Sequence, residues 1–328
     1  MASLSFLPPK SLPFPGKKAS SPGFSIFPFF STFVSPWSSA KTTPLLNYST
    51  IQLFNFSTIQ LLNYLTLLLL LPLGLFSQNG LPPNAGARGA ALGNTSVAHR
   101  DIYGVFSNPA GLLELSNWGI AVMGEQRFLL PEIRLMGVAA AINSDLGAFG
   151  LYTHRFGIEA YHEQQFGIQY ARALFEKFNM GIGMDLLHTR IPDYGGQINL
   201  TGHIGLQAHF SEPLWLGMYL FNPFRIKRNN GEYLPSMLRV GFTYQPSSKV
   251  LLTGEAEKDI DFPLRWKGGL EYQYFDLLAL RVGFSTHPVQ ATMGAGLSWE
   301  KRWQLDFALQ WHQILGWTPV FSAVYQAF

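Results

Sequence analysis

The chain of 328 residues has no cysteine, which excludes disulfides and thiolate metal sites and is compatible with export to an oxidising compartment. It is also poor in charge. Only 13% of residues are Asp, Glu, Lys or Arg, and no acidic residue precedes Asp101. Hydrophobic residues make up 47%, yet no stretch beyond residue 118 is apolar for long enough to cross a bilayer as a helix. The formal net charge of +3 includes Lys10, Lys17, Lys18 and Lys41 of the amino-terminal region, so the remainder carries 3 − 4, or −1. That balance gives no basic face for nucleic acid, so a nucleic-acid partner is not expected. Methionine is absent between Met1 and Met123.

What is present from residue 118 onward is alternation. In 263–275, Leu264, Trp266, Leu270, Tyr272 and Tyr274 fall on one face and Arg265, Lys267, Glu271 and Gln273 on the other. The stretch 301–313 repeats the design, with Trp303, Leu305, Phe307, Leu309 and Trp311 opposed to Arg302, Gln304, Asp306, Gln310 and His312. A soluble sandwich also alternates, but its strands run to roughly five or six residues, whereas about ten or more suit a tilted membrane-spanning strand. Ionised groups on nearly every polar face would be prohibitive in a dry core and are tolerable in a hydrated or plugged lumen. Aromatics near segment ends (Trp118, Phe128, Phe156, Phe210, Trp215, Trp266, Trp299, Trp303 and Trp317) read as interfacial girdles. The fold class is therefore all-β: a transmembrane antiparallel β-barrel.

Fourteen segments are expected, over 118–127, 131–141, 144–156, 159–173, 177–189, 195–210, 213–222, 233–246, 248–258, 263–275, 277–286, 289–299, 301–313 and 316–328. An even number suits a bacterial single-chain barrel. Short connections at 143–145, 211–213, 246–248 and 275–276 read as periplasmic turns, and 191–197 and 223–234 as longer outer loops. The second of these loops is strongly basic, with Arg225, Lys227 and Arg228. Its cations suit lipopolysaccharide phosphates, although a solvated loop is the commoner reading. The polar set assigned to the lumen is Asn199, Thr201, His203, Gln207, Arg239, Glu255, Glu257, Arg265, Lys267, Glu271, Arg281, Arg302, Asp306 and His312.

Residues 1–60 read as a non-structural leader. The octapeptide LNYSTIQL at 46–53 is followed by FNFSTIQL at 54–61 and a decayed third copy, which resembles translated repetitive DNA more than a folding unit and suggests a misassigned start. Residues 61–77 have the short apolar core of a signal peptide, with cleavage expected near Phe76-Ser77-Gln78, although the nearest upstream cation is Lys41. Residues 78–117 are rich in small side chains and make a poor strand and a plausible plug. Asn108-Pro109 reads as the cap and first turn of a short helix over 110–115.

The run Gly86-Ala87-Arg88 with Leu92-Gly93, then Asp101 and Asn108-Pro109-Ala110-Gly111-Leu112, resembles the FadL-like outer-membrane barrels, most closely the PorV/PorQ-type branch found in Bacteroidota. That resemblance covers 79–328. It implies a fourteen-stranded barrel whose amino-terminal hatch lies in the lumen. Where family members usually show paired acids, this chain has His99-Arg100-Asp101. Two functions are implied: assistance of type IX-like protein secretion or surface export, with a secretion channel or cargo protein as partner, or passive transport of hydrophobic small molecules through the lumen and out through the wall. The polar lumen set favours the first. Phe328 resembles the terminal aromatic recognised by the barrel assembly machinery, and the outer-membrane lipids and lipopolysaccharide would be its surroundings.

Catalysis and cofactors are not expected. No G-x-S-x-G turn or His-Glu-x-x-His helix occurs, and six residues of strand separate His203 from His209 by about 20 Å, too far to share a metal ion.

Overall fold

The computed structural model describes residues 85–192, 195–228, 231 and 233–327. The leader, the signal-peptide segment and Phe328 lie outside these described residues, as does the 78–84 portion of the plug. Fourteen antiparallel strands close into one barrel, each bonded to its sequence neighbours and the first to the last. They are β1 Trp118–Gln126, β2 Arg134–Ser144, β3 Gly147–Ile158, β4 Tyr161–Phe175, β5 Phe178–Ile191, β6 Gly195–Ser211, β7 Leu214–Phe221, β8 Met237–Ser247, β9 Val250–Asp259, β10 Arg265–Phe275, β11 Leu278–Ser285, β12 Gln290–Trp299, β13 Trp303–His312 and β14 Gly316–Gln326. No helix is long and apolar enough to cross a membrane. The barrel wall does the crossing instead. Along each strand the exposed residues are large and apolar, as with Ile120 and Val122 on β1 or Leu305 and Phe307 on β13, while their sequence neighbours face the lumen. A closed barrel leaves no unpaired edge in hydrocarbon, and this apolar exterior places the protein in the outer membrane.

Several expectations need correction. The stretch 191–197 is not a long loop, because β5 and β6 continue to an Ile191–Gly195 pair. The outer connection at 159–160 is likewise as tight as any periplasmic turn. The strand expected from 131 begins at Arg134, because 127–129 form a 3-10 turn with Phe128 at a φ of 56°. Its N–H donates to Thr318 Oγ1 and its ring packs on His312, so this loop folds across the outer rim. The strand expected from 233 begins at Met237. The Asn222 amide holds the turn before it by donating to the carbonyls of Leu234 and Pro235.

The girdle also loses members. Trp118, Phe210, Trp266, Trp299, Trp303 and Trp317 face outward, but Phe128 folds inward and Phe156 lies on the inner face beneath Arg127. Trp215 is only 7% exposed, inside the lumen, between the His209 ring and the Arg100 guanidinium. Strand β7 is apolar on both faces, so alternation gave no parity there.

Candidate functional site

The lumen is filled by the chain from Ala85 to Leu115. Helix α1 (Gly86–Ala91) opens this hatch, and 3-10 turns follow at Ile102–Phe106 and Pro109–Glu114. Each turn begins on a side-chain cap: Asp101 accepts the N–H of Tyr103 and Asn108 accepts that of Ala110, satisfying donors that a helix start leaves free. The helix foreseen after Asn108-Pro109 is thus present in the tighter 3-10 form. The Asn108 amide further donates to the carbonyls of Val97, Leu206 and Met218, tying hatch to wall.

The hatch can lie flat against the wall because the wall removes its side chains there. Inward glycines on nine strands, among them Gly181, Gly205, Gly217, Gly241, Gly269, Gly283 and Gly294, stand where a methyl group would strike hatch atoms. A Cβ at Gly294 would sit 2.6 Å from that of Ala91, and one at Gly269 2.8 Å from that of Leu92. The hatch reciprocates at Gly93, whose φ of 73° suits glycine and whose Cβ would meet the Gly268 carbonyl oxygen at 2.6 Å.

Ion pairs clamp the hatch from both ends. On the outer side, Glu257 bonds Arg239 (2.8 Å), Lys267 (2.6 Å) and Arg265 (3.2 Å). Glu255 bonds Lys267 at 2.9 Å and accepts the N–H groups of Ser96 (2.8 Å) and Val97 (3.0 Å), while Lys267 also donates to the Asn94 carbonyl. Toward the periplasmic end, the Arg88 guanidinium grips Glu271 with two bonds of 2.9 Å and Asp101 with a third, and Arg281 links Glu271 to Asp306 at 2.6 Å each. Burial opposes the charge on Arg88, but Glu271 and Asp101 outweigh it and hold its pKa above the usual arginine value. His99, 5% exposed, is pushed down to about 4 by burial and by the nearby Arg88 charge, so it is neutral at pH 7.

The remaining lumen candidates divide. Gln207 donates to the hatch carbonyls of Val97 and His99. Thr201 bonds Asn222, and Asn199 accepts from Gln197. His312 sits at the outer rim, where its Nδ1 accepts the N–H groups of Ile314 and Leu315. Arg302 does not line the lumen. It is exposed in the periplasmic turn between β12 and β13, where the alternation of the strands does not extend. His203 belongs to a buried cluster that the sequence did not reveal: Asp185 accepts from Tyr152 Oη (2.5 Å) and lies 2.7 Å from His203 Nδ1, and Gln165 donates to Tyr152. Three strands supply these partners, and no local motif joins them.

A different surface faces the β1–β3 side. Met123, Leu135, Tyr152 and Phe156 of the wall meet Ile102, Phe106, Leu112 and Leu115 of the hatch in one apolar strip from the outer rim toward the periplasmic end. The wall beside it is thin, with Gly119, Ala139, Ala141, Ala148 and Gly150 on its inner face. Outside it lies an apolar dent of about 680 Å³ bordered by Trp118, Ile120, Ile142, Phe149 and Leu151. The ladder between these strands is unbroken, so the wall has no gap here.

No protein-family model matches the chain, and no curated protein matches it. Solved structures do. The toluene transporter TbuX of Ralstonia pickettii is similar at TM-score 0.58 and 13% identity, over 74% of this chain and 98% of that one. The toluene transporter TodX of P. putida gives 0.57 and 13%, again over 74% and 98%. A Pseudomonas aeruginosa FadL homologue gives 0.54 and 12%, with the same coverage. The PorV/PorQ-type branch is not represented among these three. The structural neighbours are FadL-family outer-membrane channels, and at these identities what the chain shares with them is the fold.

Proposed function

We propose that this barrel is a passive outer-membrane channel for hydrophobic small molecules, with no chemistry of its own. The observation that carries this reading is the apolar seam between hatch and wall along β1–β3, buried while the hatch is seated, which becomes a greasy solute's path once the hatch shifts. The likeness to toluene transporters supports it as well.

The secretion reading rested on the polarity of the lumen. Most of that polarity is consumed in holding the hatch or in pairing within the clamps, as with Glu255, Glu271 and Lys267, so it no longer argues against a hydrophobic route. The experiment is uptake of a labelled long-chain fatty acid and of toluene by cells carrying the protein, beside a detergent pull-down. Protein-dependent uptake supports the channel. Absence of uptake together with stoichiometric co-purification of a large secretion channel would return the secretion role.

A further inference from the structure

Five basic side chains are gathered on the outward face of β2–β5 at the outer end of the barrel. Strand register places them in two adjacent rows. In one row Met136, Arg155, Gln164 and His188 stand side by side across four strands. In the next row outward, His162 stands beside Arg190, and Arg134 occupies the corresponding step of β2. Arg134, Arg155 and Arg190 are exposed, and alternation turns all five away from the lumen. No carboxylate shares the outward face of these rows. Glu163 and Glu125 point inward, and Glu132 and Glu159 belong to the connections beyond. None of the three arginines has a salt bridge among the described residues. The Nδ1 of His162, shielded from solvent, has no hydrogen-bond partner.

Immediately below these rows the same face becomes a lipid-facing wall, with Val138, Leu151, Phe166, Ile168 and Leu186 exposed. A cation cluster spanning four strands is about 14 Å wide at the usual strand spacing. Its position at the junction of polar rim and hydrocarbon fits an amphiphile with phosphates on its headgroup and acyl chains beneath. The basic loop is a weaker candidate, because its cations are engaged: Arg228 reaches Glu163 at 3.7 Å, Arg225 reaches Asp261 at 3.8 Å, and Arg225 and Lys227 both lie over the Tyr233 ring.

We propose that Arg134, Arg155 and Arg190, with His162 and His188, form a binding site on the outer wall for the phosphorylated headgroup of lipid A. Guanidinium groups pair with phosphate through two parallel bonds, and bound glycolipid would fix this sector of the barrel in the outer leaflet.

The test titrates the purified barrel in neutral detergent with lipid A, with the same lipid stripped of its phosphates, and with inorganic phosphate. Lipid A should bind at least tenfold more tightly than the stripped form, and inorganic phosphate should not displace it at equal concentration. A combined R134Q/R155Q/R190Q variant that retains heat-modifiable migration should lose this preference, whereas Lys258→Gln on the outward face of β9 should keep it. Equal binding of the two lipid forms by the unaltered protein would overturn the proposal without recourse to any variant. Displacement by inorganic phosphate, or undiminished preference in the folded triple variant, would overturn it too.

Discussion

Arg88→Gln should release the periplasmic end of the hatch. Arg88 makes three charge-assisted bonds, two to Glu271 and one to Asp101, all at 2.9 Å. Such bonds contribute roughly 1.5–3 kcal/mol each, and breaking a buried pair costs about 3–5 kcal/mol when the partner charge is left alone. Glu271 is not left alone, because Arg281 remains 2.6 Å away, and the Arg88 side chain retains 19% exposure. Asp101 keeps its bond to the Tyr103 N–H. The net loss is therefore at the lower end, about 3 kcal/mol, which multiplies the population of a displaced hatch roughly a hundredfold. The assay is ion conductance in planar bilayers, read beside protease cleavage between residues 85 and 115. Frequent large-conductance openings and accelerated cleavage are expected, with the barrel still heat-modifiable. Conductance and cleavage indistinguishable from the unaltered protein would refute the clamp.

Three further outcomes follow from packing, titration and burial. Gly217→Val should push Val97 off the wall, at a cost of about 1–3 kcal/mol for overpacking, seen as a lower temperature for heat-modifiable unfolding; an unchanged temperature would mean that the hatch does not rest there. His99 takes up a proton less readily in the folded hatch, near pH 4, than in an unfolded chain at 6.5, so its contribution is full above pH 6.5 and is lost as pH falls toward 4. The difference of 2.5 units amounts to about 3 kcal/mol, and protease protection of the hatch should weaken across that window in the unaltered protein and less steeply in His99→Gln. Ile168→Arg, on the lipid-facing side of β4, should destabilise the barrel by about 2–4 kcal/mol if that position lies near the bilayer midplane, measured by urea unfolding in lipid vesicles.

Alternation carried most of the fold, because a period of two distinguishes lipid-facing from lumen-facing side chains wherever the two faces differ in polarity. The fourteen strands and the inward positions of Arg239, Glu255, Lys267 and Asp306 were legible for that reason. Trp215 was not, because β7 is apolar on both faces. Arg302 was misplaced, because a turn resets parity without any change in composition. The glycine bed beneath the hatch was hidden: a glycine reads the same whether it admits the hatch, as Gly217 does, or packs under a neighbouring ring, as Gly268 does under Phe284. The Asp185–His203–Tyr152 cluster is assembled from three separate strands, β3, β5 and β6, so no local spacing announces it. In the hatch, Asn108-Pro109 announced its own turn, since a cap acts within two residues. Which carboxylates would receive Arg88 is a property of the closed barrel alone.

The apolar strip is the claim on which the function turns, and its most direct test is fatty-acid uptake by cells whose outer leaflet is lipopolysaccharide. Leu135 and Phe156 face each other across β2 and β3 at the outer end of the strip. The account predicts protein-dependent uptake that falls at least tenfold when Leu135→Asn and Phe156→Asn are combined in a barrel that still shows heat-modifiable migration, and that is unaffected by Gln273→Ala, whose side chain bonds only the adjoining periplasmic turn. No protein-dependent uptake, or uptake equal in the strip variant and the unaltered protein, would contradict it.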